Sequence, residues 1–227
     1  MPTMTLNINN GLHILTLTND DNENTITLDV LNEYLAAFDR VEQYQGNTAL
    51  LITCGHQKTF STGINLVWLT AQTKQVRKEF LRTFDTVLYR LALLNAPTVV
   101  CINGNAYAGG AIIAAAADFK IMRSDRGRFC LPEVDINMSF PPVMADIIDL
   151  IPNKHALKHM TLMGTAYTGQ ECEALNIVDY IYPAEQLQDE AFTLAKKVAS
   201  KDRKSYTAIR NSLRPNIARH GKKLGLV

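Results

Sequence analysis

The sequence predicts a layered α/β fold, and three observations carry that expectation. Two short, continuous apolar runs, residues 49–53 and 98–102, read as strands buried on both faces, as in a parallel sheet. Each is preceded by a stretch with apolar residues at helical spacing. Each is followed by a glycine-bearing loop, so strands and helices alternate through the first two-thirds of the chain.

The elements follow in order. Residues 5–8 and 13–18 are strands around Asn9-Asn10-Gly11, a hairpin signal. A polar stretch over 19–25 leads to a helix over 28–41, with Leu28, Leu31, Leu35, Phe38 and Val41 on one face. Strand 49–53 runs into a loop holding Gly55, Ser61, Thr62 and Gly63. Residues 80–94 are periodic through Phe80, Leu81, Phe84, Val87, Leu88 and Leu91. Pro97 opens strand 98–102, Asn103-Gly104 breaks it, and Gly109-Gly110 lead into a helix of small residues over 111–117. Residues 119–122 and 128–131 read as a strand pair around Asp125-Arg126-Gly127. After Pro141-Pro142 the pattern is helical, apart from a strand over 177–182.

Composition narrows the function. A chain of 227 residues can bury a core without disulfide or metal staples. The net charge of +1 supplies no general attraction for nucleic acid or membrane. Cys54, Cys101, Cys130 and Cys172 are widely spaced with no CxxC pair, so they are expected to be reduced, buried and not metal ligands. No apolar stretch reaches the ~18–20 residues of a membrane span. The first ten residues lack a signal-peptide layout, and the final Gly-Leu-Val matches no peroxisomal or retention address. A cytoplasmic protein is the expectation.

Two segments carry chemistry. Lys58-Thr59-Phe60-Ser61-Thr62-Gly63-Ile64-Asn65-Leu66 follows the first buried strand, and Asn103-Gly104-Asn105-Ala106-Tyr107-Ala108-Gly109-Gly110-Ala111 follows the second. Glycines let backbone N–H groups be aimed at a ligand, and a helix N-terminus offers unpaired N–H groups to an oxyanion. Taken singly, either segment is also compatible with an ordinary loop or with tight helix packing. The second segment is not a dinucleotide fingerprint, because Gly104, Gly109 and Gly110 do not have the GxGxxG spacing. GxSxG is also absent, and no histidine is placed to activate Ser61.

Together the two segments resemble those of the crotonase (enoyl-CoA hydratase/isomerase) family, F-[SA]-x-G-x-[DN]-L followed by N-G-x-A-x-[GA]-G-G. The likeness extends to Arg126-Gly127, to Leu131-Pro132-Glu133 and to residues 175–178 (LNIV). The resemblance implies a crotonase (ClpP-like) spiral of β-β-α turns over 1–185. It also implies a helical C-terminal trimerisation region over 186–227, and a homotrimer or hexamer. It implies an acyl-CoA thioester substrate, with CoA entering only as part of that substrate and no other cofactor. By the same resemblance, the N–H groups of Ile64 and Gly109 form an oxyanion hole, each donor worth roughly 3–4 kcal/mol. Glu133 is then the acid/base group.

The hydratases of this family carry a second glutamate three residues after the oxyanion glycine. Here that position is Ile112. One carboxylate suits Δ3–Δ2 double-bond isomerisation, and residues 123–136 resemble the plant-type and bacterial enoyl-CoA delta isomerases. Hydration of 2-enoyl-CoA, other enolate or thioester chemistry, and a silent acyl-CoA-binding module are the alternatives. Asp135 rivals Glu133, since on an extended segment the two share a face. Lys58 is expected to meet CoA phosphates. Ser61, Gly63, Asn65, Ala108 and Gly110 are expected to shape the substrate site, with Ile112, Trp68, Tyr107 and Phe140 along the acyl chain. His56 reads as an exposed loop residue. Between Lys196 and Lys223 stand ten Lys or Arg against one acid, Asp202. This reads as a solvated helical face, with attraction for CoA phosphates as the functional alternative. The lack of interleaved aromatics argues against nucleic acid.

Overall fold

A computed structural model describes residues 2–226. The chain opens with β1 (Met4–Asn9) and β2 (Leu12–Leu17), paired antiparallel with Asn9 opposite Leu12. The two loop residues, Asn10 and Gly11, have φ of 50° and 80°. Both are left-handed, which is the tight hairpin turn that Asn-Gly favours. Next come α1 (Leu28–Gln43), β3 (Ala49–Cys54), β4 (Thr59–Ser61), α2 (Leu66–Thr70) and α3 (Lys74–Ala92). The middle of the chain holds β5 (Thr98–Ile102), β6 (Asn105–Tyr107), α4 (Gly109–Ala116), β7 (Phe119–Arg123) and β8 (Arg128–Cys130). A 3-10 turn (Glu133–Ile136) precedes α5 (Pro142–Ile148), α6 (Lys154–Met163), β9 (Tyr167–Thr168), α7 (Gly169–Ala174) and β10 (Tyr180–Tyr182). Four helices end the chain: α8 (Ala184–Ala199), α9 (Arg203–Ser212), α10 (Pro215–Ala218) and α11 (Gly221–Leu224).

Six strands form one sheet in the order β1-β2-β3-β5-β7-β10, parallel except for β1. Four short strands form a second, β4-β6-β8-β9. Each of β3, β5 and β7 is followed by a short strand of the second sheet and then by helix or helical turn. That repeat is a spiral of β-β-α turns. It brings the chain back three times to the same side of the molecule, at the ends of β4, β6 and β8.

Both faces of the large sheet are covered, as its continuous apolar strands require. Side chains alternate along a strand. Leu50, Ile52, Val100 and Ile102 face the main core with α1, α3 and α4, while Ala49, Leu51, Val99 and Cys101 face α8. The α8 contribution is Leu187, Ala191, Ala195 and Val198, one stripe at helical spacing. The boundary drawn at 185/186 falls inside α8. All four cysteines are free and buried. No helix among the described residues is long and apolar enough to cross a membrane.

Three expectations are corrected. Residues 119–122 and 128–131 do not pair with each other: β7 lies between β5 and β10 in the large sheet, whereas β8 lies between β6 and β9 in the small one. The turn at Asp125-Arg126-Gly127 therefore crosses between sheets. The strand expected over 177–182 is only Tyr180–Tyr182. The basic C-terminal stretch is not uniformly solvated. Arg210 and Arg214 run inward to the buried carboxylate of Asp118, at 3.4 and 3.0 Å. Arg210 also donates to the carbonyls of Leu94 and Ala96, and Arg214 to those of Ala92 and Ala116. Arg203 donates to the carbonyls of Val41 and Tyr44 at the end of α1. These guanidiniums satisfy carbonyls that helix ends leave without partners.

Candidate active site

Three pieces of backbone meet at one cavity. The first is the loop after β4. Ile26 forms a parallel bridge with Ile64: the Ile26 N–H donates to Gly63 O at 2.8 Å, and the Ile26 carbonyl accepts from Asn65 N–H at 3.0 Å. In this pattern the neighbours of residue 64 make the bonds, so its own N–H points the other way. Among the described residues no protein acceptor takes the Ile64 N–H. Gly63 sits at φ +85°, where a side chain would be strained, and a Cβ there would come within 2.7 Å of Gly109 N.

The second piece opens α4. Ala108 holds φ +47° and ψ −124°, an uncommon conformation for a residue with a side chain. Its N–H donates to Cys130 O at 3.0 Å, and its carbonyl accepts from Ile112 N–H at 2.9 Å. Gly109 is the first helical residue, so its N–H has no partner within the helix. Gly110 must lack a side chain, because a Cβ there would meet Ser61 O at 2.5 Å. Every residue of α4 is buried, which explains its run of Gly and Ala.

The third piece is the turn Glu133–Ile136. Glu133 O accepts from Met138 N–H at 2.9 Å and fixes the turn. The Glu133 side chain is buried, and its Oε2 has no hydrogen-bond partner. Burial pushes its carboxyl up to about 7, against a weaker opposing pull from its own backbone N–H.

The cavity between these pieces holds about 240 Å³. Among the described residues, Glu133 is the only carboxylate in its lining. The walls are mostly apolar: Ile64, Leu81, Phe84, Ile112, Ile136, Met138 and Met144, with Thr62, Tyr107 and Ser139 as the polar side chains. Such a site can take a proton from carbon and hold an oxyanion. Among the described residues no group of three or more His, Cys, Asp or Glu is placed to hold a metal.

The structure brings Ile64, Tyr107, Ala108, Gly109, Ile112 and Glu133 to this cavity. Gly63 and Gly110 lie directly behind it, packing the two loops together. The Ser61 hydroxyl donates to Asn24 O at 2.8 Å and accepts from Gly63 N–H at 3.1 Å, so it shapes the loop rather than facing the cavity. Asn65 caps α2, its Oδ1 accepting from Trp68 N–H at 2.9 Å. Trp68 packs on Phe80 at 5.6 Å between centroids, one layer behind Phe84. Phe140 packs against the core between lining residues Ser139 and Pro141. Lys58 is exposed, and only its carbonyl is engaged, by Asn105 N–H. His56 is half-buried, its Nδ1 accepting from Thr59 N–H at 3.0 Å. Asp135 does not share a face with Glu133. The segment is a 3-10 turn, not extended, and Asp135 is exposed against Gly164.

A sequence model described as enoyl-CoA hydratase/isomerase matches residues 7–224. The chain belongs to the enoyl-CoA hydratase/isomerase family. Two relatives in this enzyme family come from Arabidopsis thaliana: enoyl-CoA delta isomerase 3 and enoyl-CoA delta isomerase 2, peroxisomal. Each is 31% identical over 223 residues, covering 95% and 94% of this chain and 93% and 92% of their own lengths. The apo structure of an Mtb enoyl-CoA isomerase superposes with a TM-score of 0.88 over 98% of this chain and 95% of its own. At 21% identity it speaks for the fold alone.

Sequence reasoning missed part of the cavity wall. Leu81 and Phe84 come from α3, and Met144 from α5. Leu81 and Phe84 carried a signal, the apolar periodicity of residues 80–94, but that period is the same for a core face and for a face that lines a cavity.

Proposed function

We propose that this family member is a Δ3–Δ2-enoyl-CoA isomerase that works through one carboxylate. The observation that carries the reading is the lone, buried Glu133 carboxylate in an apolar cavity, its Oε2 without a partner, with Ile112 where the family's hydratases carry a second glutamate. The names of the two delta isomerases from Arabidopsis thaliana support it.

Ionised Glu133 takes a proton from C2 of a 3-enoyl-CoA. The electron pair moves onto the thioester oxygen, and the resulting dienolate oxygen accepts from the N–H groups of Ile64 and Gly109. The N-terminus of α4 adds a partial positive charge there. Protonated Glu133 then returns the proton to C4, giving the 2-enoyl-CoA. Atoms and charge balance without a cofactor. A carboxyl near 7 suits both halves, because it takes and releases the proton at similar cost. Assembly as a homotrimer or hexamer and a cytoplasmic setting belong to the same proposal, and light scattering tests the first.

The test is purified protein with 3-hexenoyl-CoA, followed by formation of 2-hexenoyl-CoA. Wild type is expected to convert it, and Glu133→Ala to lose roughly 10²–10⁴-fold in rate while still binding hexanoyl-CoA. Glu133-dependent hydration of 2-hexenoyl-CoA, with no isomerisation, would replace the reading. Binding without any conversion would leave an acyl-CoA-binding module.

A further inference from the structure

Of the twelve lysines, eleven are exposed and one is not. Lys120 is the second residue of β7, and only 8% of its surface is accessible. Its backbone N–H donates to Asp179 Oδ2 at 2.7 Å. Its Nζ makes no hydrogen bond among the described residues, and its one ionic neighbour is the same Asp179 oxygen at a long 3.9 Å. The other nearby carboxylate, Asp118, already takes Arg210, Arg214, the Tyr206 hydroxyl and the Thr98 N–H. The amine therefore has unused donors and a lone pair available on deprotonation.

The side chain also borders open space. Lys120 lines a recess of about 630 Å³ with Leu150, Asn153, Glu173, Asn176 and Asp179. None of the residues lining this recess lines the active-site cavity. Burial lowers the Lys120 pKa, helped by Arg214, against the opposing pull of Asp179 and Asp118. An amine without a hydrogen-bond partner, set against a recess, gives up its proton more easily than a surface lysine, whose ammonium is fully hydrated, and is the nucleophile once it has done so.

We infer that Lys120 is a site of N-acylation by short-chain acyl-CoA thioesters, in a recess separate from the active site. The Nζ lone pair attacks the thioester carbonyl carbon, the N–C bond forms and the C–S bond breaks. CoA leaves as the thiol, taking the proton that the amine loses. Nothing is oxidised or reduced. The polar walls of the recess suit a small acyl group such as acetyl rather than a long tail. The product amide carries no charge, so Asp179 loses its ionic neighbour at the point where β10 joins β7.

The test uses folded protein and acetyl-CoA at pH 8, with early time points digested and the occupancy of each lysine measured by mass spectrometry. Lys120 is expected to acquire acetyl at least fivefold faster than the median of the eleven exposed lysines, and to lose that preference in urea. Glu133→Gln is expected to label equally, so a failure of the isomerase reading leaves this result unaffected. In Lys120→Arg the fast-labelling peptide is expected to disappear with no other lysine replacing it. Lys120 unmodified, or at or below the median rate, overturns the inference.

Discussion

The α-carbon of Gly63 lies against the backbone nitrogen of Gly109, so closely that a Cβ on residue 63 would stand 2.7 Å from that nitrogen and 2.9 Å from Tyr107 O. The loop carrying the Ile64 N–H and the helix start carrying the Gly109 N–H are thus fitted to each other backbone to backbone. Gly63→Ala adds a methyl group at that contact and strains a φ of +85°. The expected cost is about 1–3 kcal/mol of stability. Because both donors move, a rate loss of roughly 10²-fold or more is expected in the folded variant. Thermal melts and turnover of 3-hexenoyl-CoA check the two parts separately.

Ala108 holds its strained backbone to aim the next N–H. Ala108→Gly relieves an unfavourable conformation of about 1–3 kcal/mol, offset in part by the greater freedom of glycine in the unfolded chain, about 0.5–1 kcal/mol. The variant is expected to melt at or above the wild-type temperature with turnover retained. A lower melting temperature would show that the methyl group packs in a way that outweighs the strain.

The buried Glu133 links folding to pH. Its carboxyl is raised from 4.5 to about 7 on folding, so the native state holds its proton more tightly than the unfolded chain. The contribution is fully favourable below 4.5 and is lost as pH rises towards 7. That displacement corresponds to roughly 3 kcal/mol. Glu133→Gln removes the titration. Wild type and variant are expected to differ in the slope of unfolding free energy between pH 4.5 and 7, with the variant gaining relative stability across that interval. Urea titrations at several pH values measure this. In the proposed mechanism the same group acts in its ionised form, so kcat/KM is expected to rise with pH and level off above about 7.

Much of this architecture is legible in the sequence, for physical reasons. Residues 49–52 and 99–102 are apolar without interruption because main core and α8 cover both faces. The Asn10-Gly11 turn is local chemistry. The close approach of the two loops can be located because it depends on glycines, whose positions the sequence displays. What could not be read depends on distant partners. An apolar segment, a polar turn and a second segment look alike whether they form a hairpin or cross between sheets. Only β5, β6, β9 and β10 decide where β7 and β8 go. Strands of two or three residues, such as β4, β6 and β9, are too short to show a period. Arg210 and Arg214 look solvated because their partner, Asp118, lies about a hundred residues earlier in the chain.

That partner defines another expectation. Asp118 is buried with two guanidiniums, so Asp118→Ala leaves both charges without a counter-ion. The loss is expected to be about 3–5 kcal/mol. Equilibrium urea unfolding reads it, and a loss below about 1 kcal/mol would mean that water or the helix carbonyls already balance Arg210 and Arg214.

The most direct measurement is the fate of a deuterium at C2 of 3-hexenoyl-CoA during turnover in ordinary water. A single buried carboxylate that takes the label from C2 and returns it to C4 is expected to leave a substantial share of deuterium at C4 of the 2-enoyl product. Glu133→Gln is expected to form almost none of that product. Complete loss of label to solvent together with unchanged turnover in Glu133→Gln would contradict the account, because the proton would then be carried by some other group.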